Sequence, residues 1–175
     1  ELNETWFGTI SDLLTMMTVA CILLPAAALV REKEYGTIEQ LLVSPLTPFQ
    51  VMFSKVLAMM LVMLIGTAVS LLGIMQPFYG VPAHGSLPLY FALTALYAFT
   101  NAGLGLLAGT FARTSAQVGL LVMLMVLPMV MLSGTHTPLE SMPEWLRHLM
   151  SISPMRYFID ITYGILLRGA GLDVL

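Results

Sequence analysis

Residues 31–50 read Arg31-Glu-Lys-Glu-Tyr-Gly-Thr-Ile-Glu-Gln-Leu-Leu-Val-Ser-Pro-Leu-Thr-Pro-Phe-Gln50 and interrupt a chain that is otherwise largely apolar. Arg31, Glu32, Lys33 and Glu34 follow the apolar run 10–30, and a second apolar run occupies 56–76. Consecutive charges at the end of such a run mark the point where a membrane helix meets water. The stretch between the runs is kept in water, where it can touch a soluble partner.

Composition agrees with this reading. The chain is 58% hydrophobic and 10% charged, with a mean hydropathy of +0.88, whereas soluble domains carry about 25% charged residues. Crossing the hydrocarbon takes about 20 mostly apolar residues. Four segments are expected to cross, at about 10–30, 56–76, 87–112 and 118–133. The expected fold class is therefore all-α, a polytopic helical membrane protein. A net charge of -3 without a basic patch argues against nucleic acid as a partner. Cys21 is the single cysteine and lies inside an apolar run, so no internal disulfide can form.

Four spans place 31–55 and 113–117 on one side, and 1–9, 77–86 and 134–175 on the other. Arg31, Lys33, Lys55 and Arg113 all fall on the first side, close to span ends, which is then cytoplasmic by the positive-inside rule. Arg147, Arg156 and Arg168 count against this orientation but sit in a long segment that also carries acids.

Local signals refine the picture. Thr47-Pro48-Phe49-Gln50 has the form of a capping box with proline at the first helical position, so the second span should begin near Pro48, with Lys55 reaching toward water. Ile38, Leu41 and Leu42 fall at i, i+3 and i+4, which predicts a short amphipathic helix between Gly36 and Pro45. Gly105 and Gly109 are four apart and predict close helix packing. Asn101, in the same span, should face protein, either in an interhelical hydrogen bond or on a substrate path. Asp12 is placed at the outer end of the first span, within reach of headgroups. Pro25 and Pro128 are expected to kink their spans.

The C-terminal stretch 138–169 predicts two outer-side amphipathic helices. One carries Trp145, Leu146, Leu149 and Met150 on its apolar face. The other starts at Ser153-Pro154 and carries Tyr157, Phe158, Ile161, Ile165 and Leu166. Trp145 and Tyr157 would anchor them at the interface.

No catalytic pattern is present. The two lysines lack a preceding G-x-x-x-x-G, there is no H-E-x-x-H, His84, His136 and His148 are scattered, and no G-x-S-x-G occurs. No catalytic, cofactor or metal residue is expected on this chain.

The opening segment also resembles the signature of the ABC type-2 exporter permeases, especially bacterial inner-membrane members of the multidrug and antibiotic-export branch. Glu32, Glu34, Gly36, Thr37, Glu39, Leu41, Leu42, Pro45 and Thr47 fill the family's cytoplasmic pattern. Leu132-Ser133-Gly134, Pro138, Met142-Pro143 and Ser153-Pro154 resemble the segment after its fifth helix. Such permeases have six helices, so the resemblance implies that the four spans are the second to fifth. Residue 1 is Glu rather than Met, and a partial permease domain over 1–175 is expected.

The resemblance implies a multi-pass protein of the bacterial inner membrane that works with an ATP-binding subunit and a second permease copy. ATP and Mg would bind only on the ATPase. Gly36, Thr37, Ile38, Glu39, Gln40, Leu41 and Leu42 would form the helix that couples to the ATPase, with Glu32, Glu34 and Glu39 offering carboxylates. The alternative is a secondary carrier or channel subunit, but such proteins tend to carry ionisable residues at mid-span, and only Asn101 and small hydroxyls occur there. The 14 methionines suit an adaptable apolar surface without naming a substrate.

Overall fold

A computed structural model describes residues 2–37, 45, 47–80, 85–131, 133 and 153–168. All regular structure among them is helical. The helices are α1 (Leu2–Glu34), α2 (Pro48–Tyr79), α3 (Leu87–Phe111), α4 (Ser115–Met131) and α5 (Pro154–Arg168). α1 has 33 residues, about 50 Å at 1.5 Å per residue, longer than the roughly 30 Å hydrocarbon core. α1, α2 and α3 are long and apolar enough to cross a membrane, whereas α4 is a shorter apolar helix of 17 residues. The apolar run expected to reach residue 133 stops its helix at Met131.

α1 is the centre of the bundle. Half of its most apolar window is buried, against 17% for α2, whose outer face carries exposed Leu61, Val62, Ile65 and Val69. Such a face suits lipid, which is as apolar as the side chains it meets. α1 and α2 run antiparallel, with Trp6 Nε1 donating to Tyr79 O at 2.8 Å at one end and Lys55 paired with Glu32 at the other. α1 and α3 run parallel, because Thr18 meets Tyr97 in one half and Lys33 meets Ala112 at the end of the other. Thr18 Oγ1 donates to Leu14 O at 2.7 Å, so the Tyr97 hydroxyl is the donor in the 2.6 Å bond between them.

The expected small-residue seam is where α1 and α3 touch. A Cβ added at Gly105 would collide with the Ile22 carbonyl oxygen, and one at Gly109 would lie 3.0 Å from Ala26 O. No side chain larger than hydrogen fits at Gly105, which is why the backbones can pack so closely there. Three apolar cores surround the seam among the described residues. One joins Ile10, Leu14, Leu71, Tyr90 and Phe158 toward the start of α1, another joins Ile22, Ala26, Ala108, Val118 and Val122 toward its end, and a smaller one joins Leu29, Val56, Ala102 and Leu106.

The start of α2 follows the sequence closely. Thr47 N–H donates to Gln50 Oε1 at 2.9 Å, and Gln50 N–H donates to Thr47 Oγ1 at 3.3 Å, with Pro48 in the first turn. Thr47→Ala is expected to cost about 1 kcal/mol locally, seen as faster hydrogen exchange at the Gln50 amide. The other end of α2 was not foreseen. Residues Val69–Met75 form a π-helix, and Gln76 N–H bonds Leu71 O, five residues back. Gly80 then stops the helix in the left-handed region at φ 61, which a side chain would disfavour.

Two expectations are corrected. Asn101 is fully buried, but its amide donates to its own helix, to Tyr97 O at 2.9 Å, rather than across to another. The carbonyl four residues back is the nearest acceptor in a helix, and it wins. Second, the apolar face of α5 packs on the bundle rather than lying free in the interface. Phe158 stacks on Tyr97 with centroids 4.1 Å apart and planes at 5°, and Met155, Ile165 and Leu166 are buried beside it. Tyr163 and Ser11 share a 2.5 Å hydrogen bond that ties α5 to α1. Tyr157 is 53% exposed, away from this contact. Both α1 and α4 continue through Pro25 and Pro128 as unbroken helices. The helix expected around Trp145 lies outside the described residues.

Candidate functional site

Consecutive residues on an α-helix point about 100° apart. At the C-terminal end of α1 this turns a run of charges into a three-way fastening. Glu32 faces α2 and pairs with Lys55. Lys33 faces α3, where its Nζ donates to Gly109 O at 2.7 Å, Thr110 O at 2.8 Å and Ala112 O at 3.0 Å. Glu34 faces α4, accepting from Ser115 N–H at 2.8 Å and from Ser115 Oγ at 2.7 Å.

Each contact meets a need of its target. The last carbonyls of α3 have no partner within that helix and carry the negative end of its dipole, and an ammonium group offers three donors and the opposite charge. The first amides of α4 are unpaired and lie at the positive end, where a carboxylate is favoured. Only Ala112, Arg113 and Thr114 separate α3 from α4, so these two helix ends sit side by side. Adjacent residues of opposite charge on α1 fit adjacent ends of opposite polarity. The turn is further closed by Arg113 N–H donating to Gln117 Oε1 at 2.8 Å and by Gln117 N–H donating to Thr114 Oγ1 at 3.3 Å.

α1 ends immediately beyond this fastening. Gly36 takes φ 69, and its N–H bonds Lys33 O at 3.3 Å. Thr37 Oγ1 donates to Glu32 O at 3.2 Å. The chain therefore leaves α1 through a tight, bonded turn, and residues 38–44 follow directly. Ile38, Glu39, Gln40, Leu41 and Leu42 lie outside the described residues.

The sequence-derived site residues thus divide into groups. Glu32 and Glu34, expected to offer carboxylates to a partner, are engaged within the bundle by Lys55 and Ser115. Gly36 and Thr37 form the turn that carries the chain away. Asn101 is buried among the helices, with its Oδ1 unbonded among the described residues, and it lines neither of the grooves described for this bundle. Lys33, Lys55 and Ser115 were missed as site residues. A lysine flanked by two glutamates at a span end was the available signal, but nothing in its spacing named partners more than 70 positions away.

The ABC-2 type transporter family matches residues 10–167. The inner membrane transport permease YhhJ of Escherichia coli is 41% identical over 174 residues, which is 99% of this chain and 46% of that protein. The E. coli protein named Probable multidrug ABC transporter permease YbhR is 35% identical over 175 residues, covering 99% of this chain and 47% of its own length. ABC transporter G family member 20 of Dictyostelium discoideum is 28% identical over 151 residues, 86% of this chain and 20% of that protein. The chain thus spans less than half the length of these relatives. No solved structure matches it. The helical bundle and its charged turn are those of a chain that belongs to the ABC-2 type transporter family.

Proposed function

We propose that the chain is the membrane core of the permease subunit of an ATP-driven exporter in the bacterial inner membrane. Drive enters from a separate ATP-binding subunit at residues 36–42, and two permease copies enclose the pathway. The observation that carries this reading is the fastening at the end of α1. A push on the segment after Gly36 acts on a helix whose end is bonded to α2, α3 and α4 together. Glu32, Lys33 and Glu34 hold the bundle to α1, and Glu39 is the carboxylate proposed to contact the ATPase. Family membership and the E. coli relatives named as permeases support the same assignment. ATP and Mg belong to the ATPase in this reading.

The test is co-purification of the full-length permease with its ATPase, followed by ATP hydrolysis and transport in vesicles. Glu39→Lys reverses a charge at the proposed contact and is expected to weaken association about tenfold. Association and coupled transport that survive both this change and deletion of residues 36–42 would sink the assignment. Transport driven by an ion gradient with no ATPase present would favour a secondary carrier.

A further inference from the structure

A second feature lies at the opposite end of α1. A groove of about 480 Å³ runs between α1 and α2 in the outer half of the bundle. Asp12, Met16 and Ala20 line it from α1, and Met63, Gly66 and Ser70 from α2. Trp6 Nε1, bonded to Tyr79 O at 2.8 Å, ties the two helices at its outer end. Ser70 belongs to the π-helical segment of α2, a kind of local distortion found disproportionately at functional sites.

Three observations specify an occupant. First, Asp12 is exposed, and no cation pairs with it among the described residues. Second, Asp12 stands 19 residues before Arg31, about 28 Å along the helix, close to the thickness of the hydrocarbon core. Its carboxylate is therefore at the outer headgroup boundary, while the groove runs inward toward Ala20 and Met63, about 12 Å deeper. Third, the walls below Asp12 are apolar and rich in methionine, a side chain that adapts to varied shapes. Gly66 keeps the wall open, since a Cβ there would meet nothing within 4 Å. Packing between the helices therefore does not explain its missing side chain.

We propose that this groove binds a single-chain cationic amphiphile, with its head on the Asp12 carboxylate and its tail along Met16, Ala20, Met63 and Gly66. The occupant is a transported molecule at the outer leaflet, a clause that rests on reading the chain as a permease. Charge selects the head, because an anionic head would be repelled by Asp12. The length of the apolar wall accommodates the tail.

The test uses the full-length permease with its ATPase in dodecyl maltoside, without ATP. The probe is tetradecyltrimethylammonium bearing a diazirine in its tail, with labelled peptides read by mass spectrometry. Label is expected on the peptides that contain Met16 and Met63. Asp12→Asn is expected to raise the half-saturating concentration about fivefold, and Gly66→Leu to abolish labelling while leaving the unfolding midpoint intact. The matching tetradecyl sulfate probe should not label. Labelling unchanged by both substitutions, or equal labelling by the sulfate, overturns the proposal. Displacement of the probe by added phosphatidylethanolamine would assign the groove to a resident lipid and overturn the transported occupant. Because binding is read without ATP, a failure of ATPase coupling on Glu39→Lys leaves this result untouched, so the two readings fail separately.

Discussion

Gly105→Ala is expected to lower the stability of the bundle by about 3 kcal/mol, at the high end for one added carbon. The cost comes from what the new methyl group would strike. A Cβ at Gly105 collides with the Ile22 carbonyl oxygen, lies 2.8 Å from Pro25 Cγ and 3.0 Å from the Ile22 carbonyl carbon. These are backbone and ring atoms, which cannot rotate aside as a flexible side chain can. α1 and α3 must separate, and the Thr18–Tyr97 bond and the reach of Lys33 suffer with them. Gly103 supplies the control. It is in the same helix, and a Cβ there meets nothing within 4 Å, so Gly103→Ala should be neutral or gain up to about 1 kcal/mol from helix propensity. Gly109→Ala, with Ala26 O at 3.0 Å, should fall between them. The midpoint of unfolding by sodium dodecyl sulfate in mixed micelles ranks the three. Equal losses at Gly103 and Gly105 would show that helix contact is not what the glycines provide.

Lys33→Met is expected to cost about 2 kcal/mol, the scale of hydrogen bonds to a charged group at a helix C-terminus. Methionine keeps the apolar stem and removes the charge and all three donors, leaving Gly109 O, Thr110 O and Ala112 O without their ammonium. Lys33→Arg should recover less than half of the loss. A planar guanidinium fork does not match carbonyls that converge on a point, whereas an ammonium group does. In the proposed mechanism Lys33→Met leaves association with the ATPase intact while lowering the transport obtained per ATP. Glu39→Lys is expected to do the reverse and weaken association first. Measuring both quantities on both variants separates fastening from docking.

The sequence made some of this legible because some signals are local. Apolar runs of about 20 residues announce spans. The Thr47–Gln50 box closes on itself within four residues, and both of its hydrogen bonds are present. Gly105 and Gly109 state their purpose by spacing alone, although not that Ile22 and Ala26 would be the backbones they admit. The rest depends on contacts far apart in the chain. The run from Glu32 to Glu34 was readable as charge at a membrane boundary, but its destinations on α2, α3 and α4 are set by the arrangement of the bundle. The π-helical turn has no signature in Val69–Met75, which reads as ordinary apolar helix. Asn101 looked like a link between helices because a buried amide needs partners, yet its own helix supplied one. The amphipathic pattern of α5 announced an apolar face, but it included Tyr157, which is exposed, and left out Met155 and Ile159, which are buried; nor does a pattern say whether lipid or aromatic rings cover it. Here Tyr97 covers Phe158.

The lysine cap has a consequence for biosynthesis. Lys33 and its first acceptor, Gly109, are 76 residues apart. When α1 leaves the ribosome, α3 does not yet exist, and the ammonium group has only water for a partner. In the proposed orientation, its charge during that interval acts as a topological marker that helps to hold the end of α1 in the cytoplasm. Once α3 is inserted, the same group exchanges its hydration for three carbonyls. One side chain thus serves first as an address label for the growing chain and later as a clasp. A neutral substitution at position 33 should therefore show two separable defects, misoriented chains among newly made protein and loosened bundles among those correctly inserted.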